Sequence, residues 1–439
     1  MRIQLPDKNY DVVVVGGGMV GASFACALRQ ELNRAADKDR RGYRPNHERK
    51  DEKEKDPAEI SILVVEAVDL ASSSDQTSTA QPSFDARSTA LSYGSSQILE
   101  AMGLWQQLKD SACPIEEIHV SDRGRIGTTR LHYKDYRVDA LGYVVDNKEL
   151  GVVLNSVMES SSSIHLFCPA SISAIKPTAA GMDLIVNSDS LGHSISASLV
   201  VLADGGRSPI CEQLGLEQRV QDYEQHALIA NIGFKKAHRN IAFERFTDTG
   251  PLAVLPLKTL GKQNRAALVW TLTAEQSAEY MVMTEEELLE KLQERFGNRL
   301  GKLQHIGEKF CYPLRLSVAR EQLRPGLVLL GNVAHTLHPV AGQGLNLALR
   351  DVAALASTLS EAVADGANLG SMDVLQQYIC KQELDQKRTI MFTDTITRLF
   401  SSNSRSKILA RKFGLIAIDL MPSIKQEFAE QAMGLSTNS

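Results

Sequence analysis

The sequence predicts an α/β chain in which two domains interleave and a helical tail follows, and three observations carry that prediction. A β-branched run at residues 11–15 breaks into Gly16-Gly17-Gly18-Met19-Val20-Gly21 and resumes as a helix-forming stretch over residues 22–32. Two later apolar runs, 199–203 and 327–330, end in glycine turns of the same kind, at Asp204-Gly205 and Gly331-Asn332. Between those runs, residues 227–234 and 266–272 alternate as strands of a half-exposed antiparallel sheet do, joined by a polar helix around 285–296. A chain that changes style repeatedly passes back and forth between two domains.

After the first strand, turn and helix, residues 37–56 hold 15 charged side chains, eight basic and seven acidic, with no apolar periodicity to anchor them. An exposed insertion over 35–59 is expected, and its balanced signs give no field to steer a partner. A second buried strand, 60–65, ends at Glu66, and a Ser/Thr/Gln-rich loop, 72–83, follows. Leu345, Ala348, Leu349, Val352, Leu355, Leu359 and Val363 recur at helical spacing, with Gly366 as a stop. From Met372 the composition stays helical. Between 398 and 425 it turns basic and apolar, six Lys/Arg against Asp419 alone.

Composition excludes several classes. With 43% hydrophobic and 23% charged residues in 439, the chain is globular, not disordered or collagenous, and long enough for two domains. A net charge of −5 without an aromatic-interleaved basic stripe speaks against nucleic acid as a partner. Six scattered cysteines without a C-x-x-C pair suggest reduced thiols and a cytoplasmic setting. The first apolar run, 12–15, is too short for a signal peptide. The window 325–349 is interrupted by Asn332, His335, His338, Gln343 and Asn346, so it cannot span a membrane. A soluble or peripheral protein is expected.

Gly16, Gly18 and Gly21 fit G-x-G-x-x-G after a buried strand and before a helix. The first two permit a tight turn and close approach of backbone to a pyrophosphate, and the third lets helix and strand pack closely. An acidic residue is then expected ~20 residues on, to accept from a ribose hydroxyl. Glu66 follows Gly21 by 45 residues, of which 25 belong to the insertion 35–59, and its removal restores the spacing. Dinucleotide binding follows, and Glu66 in place of an Arg-rich neighbourhood disfavours a ribose 2′-phosphate.

Together with these turns, Phe84-Asp85-Ala86-Arg87-Ser88-Thr89-Ala90-Leu91 and His338-Pro339-Val340-Ala341-Gly342-Gln343-Gly344-Leu345-Asn346 resemble the motif set of the class A flavoprotein aromatic hydroxylases. The unbroken H-P-x-A-G-Q-G-x-N, with Asp351 at the usual distance, is similar to the ubiquinone-biosynthesis branch. So are Phe243-Glu244-Arg245-Phe246-Thr247 and Gly250-Pro251-Leu252-Ala253-Val254-Leu255-Pro256. Val120-Ser121-Asp122-Arg123-Gly124 and the phrase from Gly331 to Pro339 are most similar to the 2-polyprenyl-6-methoxyphenol hydroxylases.

That resemblance implies a Rossmann-like FAD-binding domain interleaved with a mixed β-sheet substrate domain and C-terminal helices, as in p-hydroxybenzoate hydroxylase. The division expected is 1–113, 143–220 and 324–370 for the FAD domain, 114–142 and 221–323 for the substrate domain, and 371–439 for the tail. It implies hydroxylation of a polyprenylated (methoxy)phenol through a flavin 4a-hydroperoxide, with dioxygen and NADH or NADPH. Arg87 would neutralise the pyrophosphate of FAD, and Asp204, Gly331 and Asn332 would meet the cofactor. Gly342 and Gly344 would clear room for the flavin ring, and the backbone amides of Leu345 and Asn346 would contact it. The Pro339 carbonyl would line the phenol's place with His338 beside the ring, as the positions closest to catalysis. No essential acid–base side chain is expected.

Three departures stand out. Asn332 replaces the family's usual Asp, the Arg that often closes the Asp-Gly motif is missing around Cys211, and Ala348 replaces a common glycine. His335 and His338 have H-x-x-H spacing, but Pro339 breaks any helix that would bring them to one metal, so no metal is expected. Arg405, Lys407, Arg411 and Lys412 beside Ile408, Leu409 and Phe413 suggest weak peripheral contact with anionic lipid at the cytoplasmic face of the inner membrane. A quinone-biosynthesis protein complex and a homo-oligomer are the protein partners the resemblance allows. Two rival functions remain open: an FAD-dependent reductase or dehydrogenase of a prenyl lipid, and a non-catalytic subunit that retains flavin.

Overall fold

The computed structural model describes residues 8–41, 60–69, 83, 85–122, 128–188, 191–206, 208–400 and 422–435. The first β-branched run forms the strand Asn9–Val15 inside an eight-stranded sheet. It pairs parallel with Leu191–Leu202 on one side and Ile62–Val65 on the other. Leu327–Leu329 and Ile164–Phe167 extend the parallel set outward. Val12, Val14, Ile62 and Val64 pack into one apolar cluster, while Val13, Val15, Leu63 and Val65 pack into another. Burial on both faces is why these strands read as continuous apolar runs.

The helices Met19–Arg41 and Gln343–Ala364 cover the first of those faces. Leu355 and Leu359 are buried there as the helical spacing predicts, and Gly366 at φ 66° follows the helix end. The first helix is longer than expected. Residues 35–41, read as the start of the insertion, continue it to Arg41, and Arg34 holds Glu31 at 2.9 Å and the Ala101 carbonyl. Ala, Lys and Arg are good helix formers, so the helix propagates past the packed turn without an apolar stripe. The rest of the insertion, 42–59, lies outside the described residues.

A nine-stranded mixed sheet forms the second layer. Gln218–Phe234, Gln263–Thr273, Pro251–Leu260 and Ile241–Phe246 lie side by side and antiparallel, and Glu117–Asp122 then joins Ile241–Phe246 in parallel. Leu228, Leu252, Leu268 and Trp270 point to one face, against the helices Ala274–Val282 and Glu285–Phe296. Both helices begin with capping boxes, Thr273 with Gln276 and Thr284 with Glu287. The other face, with Ile229, Ala253, Leu255 and Val269, turns toward the site. A three-stranded sheet, Ser88–Ser92 with Gly142–Asp146 and Cys113–Ile115, completes the strands.

The helices Met372–Phe400 and Pro422–Ala432 follow, as the helical tail predicts. The basic stretch with Arg405, Lys407, Arg411 and Lys412 lies outside the described residues. Among the described residues, no helix is long and apolar enough to cross a membrane.

Candidate active site

One cavity of about 1020 Å³ is lined from both large sheets. Gly16, Gly18, Glu66, Arg87, Asp204, Asn332, Pro339, Gly342, Gly344, Leu345 and Asn346 all line it, although their positions span most of the chain. Gly21, Gly331 and His338 do not. The two glycines stand directly behind it: a Cβ on Gly21 would lie 1.9 Å from the Gly16 carbonyl oxygen, and one on Gly331, whose φ is 68°, would meet Val20 at 2.9 Å.

At one end the strand Asn9–Val15 stops and the backbone turns at Gly16, φ 99°, where a Cβ would lie 2.6 Å from the Ala203 carbonyl oxygen. The Gly17 amide donates to Glu66 Oε2 at 2.6 Å and the Val68 amide donates to Oε1 at 2.9 Å. These bonds fix the carboxylate at the cavity wall, and carboxylate oxygens have further lone pairs to offer a hydroxyl. Asp204 Oδ1 is buried without a hydrogen-bond partner, and burial raises the Asp204 pKa against the lowering effect of its bond with Ser208. Arg87 donates through Nε to Asp85, with oxygens at 2.9 and 2.7 Å, and its guanidinium lies 5.0 Å from the Tyr312 ring centre. It thereby joins the segment around Asp85 to the strand Phe310–Ala319 of the second sheet.

In the middle stands the start of the helix Gln343–Ala364, capped by Gly342 in the left-handed conformation. By helix geometry, Gln343, Gly344 and Leu345 carry amides without a carbonyl four residues back, and the positive end of the dipole sits with them. Asn346, whose amide is expected to contact the ring beside that of Leu345, lines the cavity as well. Its side chain is engaged elsewhere: Oδ1 accepts from the Ser92 amide at 2.8 Å, and Nδ2 donates to the carbonyls of Ala90 at 3.0 Å and Gly342 at 2.7 Å. A Cβ on Gly344 would meet nothing within 4 Å, so a side chain there would enter the cavity.

Pro339 lines the cavity and its carbonyl accepts from the Gly342 amide at 3.0 Å. His338 does not stand beside it as expected. Its ring is 1% exposed, faces away from the cavity, packs edge-on against Tyr223 at 5.4 Å, and accepts through Nδ1 from the Val340 amide at 3.1 Å. Burial lowers its pKa to about 4, so the ring is neutral and shapes the turn. His335 points elsewhere again, with Nε2 2.7 Å from Asp351 Oδ2, while Gln386 donates to Oδ1 of the same carboxylate at 2.9 Å.

The far end is apolar. Val120, Ala253, Leu255 and Val269 line it from the second sheet, and Phe392, Ile396 and Phe428 from the C-terminal helices. Glu244 stands among them, a member of the Phe243–Thr247 motif of which the sequence leads one to expect no role. Ala242, Phe243, Glu244 and Phe246 of the strand Ile241–Phe246 all line the cavity, and the Phe243 ring also packs against Phe296 of the helix behind. Burial pushes the Glu244 carboxyl up to about 7. An acidic residue inside an apolar strand was the available signal, but periodicity alone does not say which face meets solvent.

Comparison with known proteins shows the family and the fold of the chain. The family described as FAD binding domain matches residues 74–387. Over 429 residues the chain is 31% identical to ubiquinone hydroxylase UbiL of Rhodospirillum rubrum, covering 98% of this chain and 90% of that one. It is 26% identical over 432 residues to the 3-demethoxyubiquinol 3-hydroxylase of Escherichia coli, covering 98% and 100%. The crystal structure of p-nitrophenol 4-monooxygenase PnpA from Pseudomonas putida shares the fold, with a TM-score of 0.74 at 16% identity over 99% of this chain and 100% of that one.

Proposed function

We propose, for a chain that belongs to the FAD-binding-domain family and within it to the monooxygenases that include the ubiquinone-biosynthesis hydroxylases, that it hydroxylates the ring of a polyprenylated phenol with NADH or NADPH as reductant. The observation that carries this reading is the continuity of one cavity from the Gly16 turn, past the Gly342-capped helix, to an apolar end.

The residues present fit FAD. Asp204 Oδ1 is a buried acceptor in want of a donor, Gly16 and Gly18 present bare backbone to the cavity, and the space before Gly344 is open. The glycine turn and the start of the helix Met19–Arg41 would hold the pyrophosphate with Arg87, Glu66 a ribose hydroxyl, and Asp204 and Asn332 the polar chain between. Bound there, FAD supplies the redox and oxygen chemistry. The protein's share is to orient, shield and stabilise. The amides of residues 343–345 favour negative charge on the group in front of them. Pro339 sets the wall against which the phenol lies, and the apolar end excludes water and shelters isoprenoid, each CH₂ buried contributing ~0.8 kcal/mol.

A substrate of this kind partitions into lipid. A peripheral position at the cytoplasmic face of the inner membrane, alone or within a quinone-biosynthesis complex or homo-oligomer, therefore goes with the reading. The mixture of basic and apolar residues from Arg405 to Ile416 supports it. Mass spectrometry of prenylated intermediates in a deletion strain tests the function. A ring lacking one hydroxyl group should accumulate; an unchanged quinone profile would contradict the proposal.

A further inference from the structure

We propose that Glu244 receives the phenolic hydroxyl of the substrate and takes its proton. This rests on the reading of the cavity as a phenol site and adds a catalytic residue to it, where the sequence suggested none.

Glu244 is held in the strand Ile241–Phe246 between Val120 of Glu117–Asp122 and Ala253 of Pro251–Leu260. Ala242, Phe243 and Phe246 of its own strand line the cavity with it. Among the described residues its carboxyl has no hydrogen bond or ion pair, and it is the one charged side chain among those lining the apolar end. A buried carboxyl without a partner is costly, and a phenol hydroxyl entering an apolar chamber needs an acceptor. Each satisfies the other.

The titratable groups on the surrounding elements are turned elsewhere. His119 and Arg245 lie off the cavity wall, as do Asp122, Lys258, Asp394 and Arg398. Lys258 donates to the Asp110 carbonyl at 2.5 Å, and Arg398 pairs with Asp394 at 2.8 Å. On the helix Pro422–Ala432 the cavity meets Phe428 and Ala432, not Lys425, Glu427 or Glu430. Burial alone therefore governs the carboxyl, bringing it near neutrality, where a general base works best.

In the step proposed, the O–H bond of the phenol breaks, an O–H bond forms on a Glu244 carboxylate oxygen, and the negative charge passes to the ring oxygen. Nothing is oxidised or reduced. The phenolate ring is the more electron-rich and so the better nucleophile for ring hydroxylation, and the proton returns when the product phenol re-forms.

The test is Glu244→Gln in the full-length, FAD-loaded protein, with short-chain prenylphenols of graded acidity. The variant should keep its yellow spectrum while hydroxylation falls by about 100-fold or more. The loss should shrink for acidic fluorinated phenols, which ionise with less help. Wild-type rate should decline as pH falls through about 7, where the carboxyl protonates, and the variant should lack that limb. Glu244→Asp should recover part of the rate with the limb retained, and it carries the test should the Gln variant not fold. Hydroxylation by the Gln variant within about twofold of wild type, or an equal loss for phenols of every acidity, would overturn the proposal. A wild-type protein that binds FAD but hydroxylates no phenol would bring down the reading of the cavity itself, and this inference with it.

Discussion

The side-chain oxygen of Asn346 accepts the Ser92 amide at 2.8 Å, tying the start of the Gly342-capped helix to the strand Ser88–Ser92. The same carboxamide donates to Ala90 and Gly342, so one buried side chain locks the helix end, its cap and the neighbouring strand into a single rigid edge of the cavity. Asn346→Ala should leave the Ser92 amide and two carbonyls short of a partner, costing about 1–3 kcal/mol. Thermal unfolding should show a lower Tm, and FAD should leave faster on dilution. An unchanged Tm would show that the latch is dispensable.

Gly344→Leu places a side chain in open cavity, because nothing lies within 4 Å of an added Cβ. Folding should survive while hydroxylation falls far more than stability does. Comparing turnover with the unfolding midpoint checks this, and parent-rate hydroxylation with FAD bound would show that the reacting ring lies elsewhere.

Gly18→Trp and Gly21→Ala should fail in different ways. An indole at Gly18 fills the cavity side of the turn, so the protein should be soluble and colourless. At Gly21 the clash is with backbone, 1.9 Å from the Gly16 carbonyl oxygen, so even a methyl group should cost stability before it costs cofactor. Absorbance spectra and melting curves of the two variants separate these outcomes.

Much of this was legible in the sequence, and the remainder has physical reasons. The strand at Asn9–Val15 and the turn after it announce themselves because β-branched residues buried on both faces followed by glycines have few other uses. Glu66 could be found once the charged insertion was removed from the spacing. His338 could not be placed, since adjacent residues in a turn point in different directions: Pro339 faces the cavity and His338 packs on Tyr223. The signature's Asn346 suggested a cofactor contact through its backbone amide, and the second task of the residue, a carboxamide bonded to Ser92, Ala90 and Gly342, was hidden because only the fold brings Ser92 and Ala90 near. Glu244 stayed hidden because its face depends on how the sheet packs.

Stability should depend on pH through Glu244. Burial raises its folded-state pKa from the ordinary 4.5 to about 7. The native state then binds more protons than the unfolded state between those values. Stability is therefore greatest below 4.5 as far as this group is concerned, and declines as pH rises through 7. Glu244→Gln abolishes the change and should make the protein more stable than wild type at pH 8, by on the order of 1–3 kcal/mol. Denaturant melts of both forms at pH 5 and pH 8 check the sign, and a variant less stable at pH 8 would contradict it.

The claim that one cavity joins FAD to a prenylated phenol is tested most directly by turnover under isotopically labelled dioxygen, with purified yellow protein, a reduced nicotinamide and a short-chain prenylphenol. Mass spectrometry should find one labelled oxygen atom on the product ring, with nicotinamide consumed in step with product. Nicotinamide oxidation without labelled product would point to a reductase, and neither oxidation nor product to a flavin-retaining subunit; each would contradict the account.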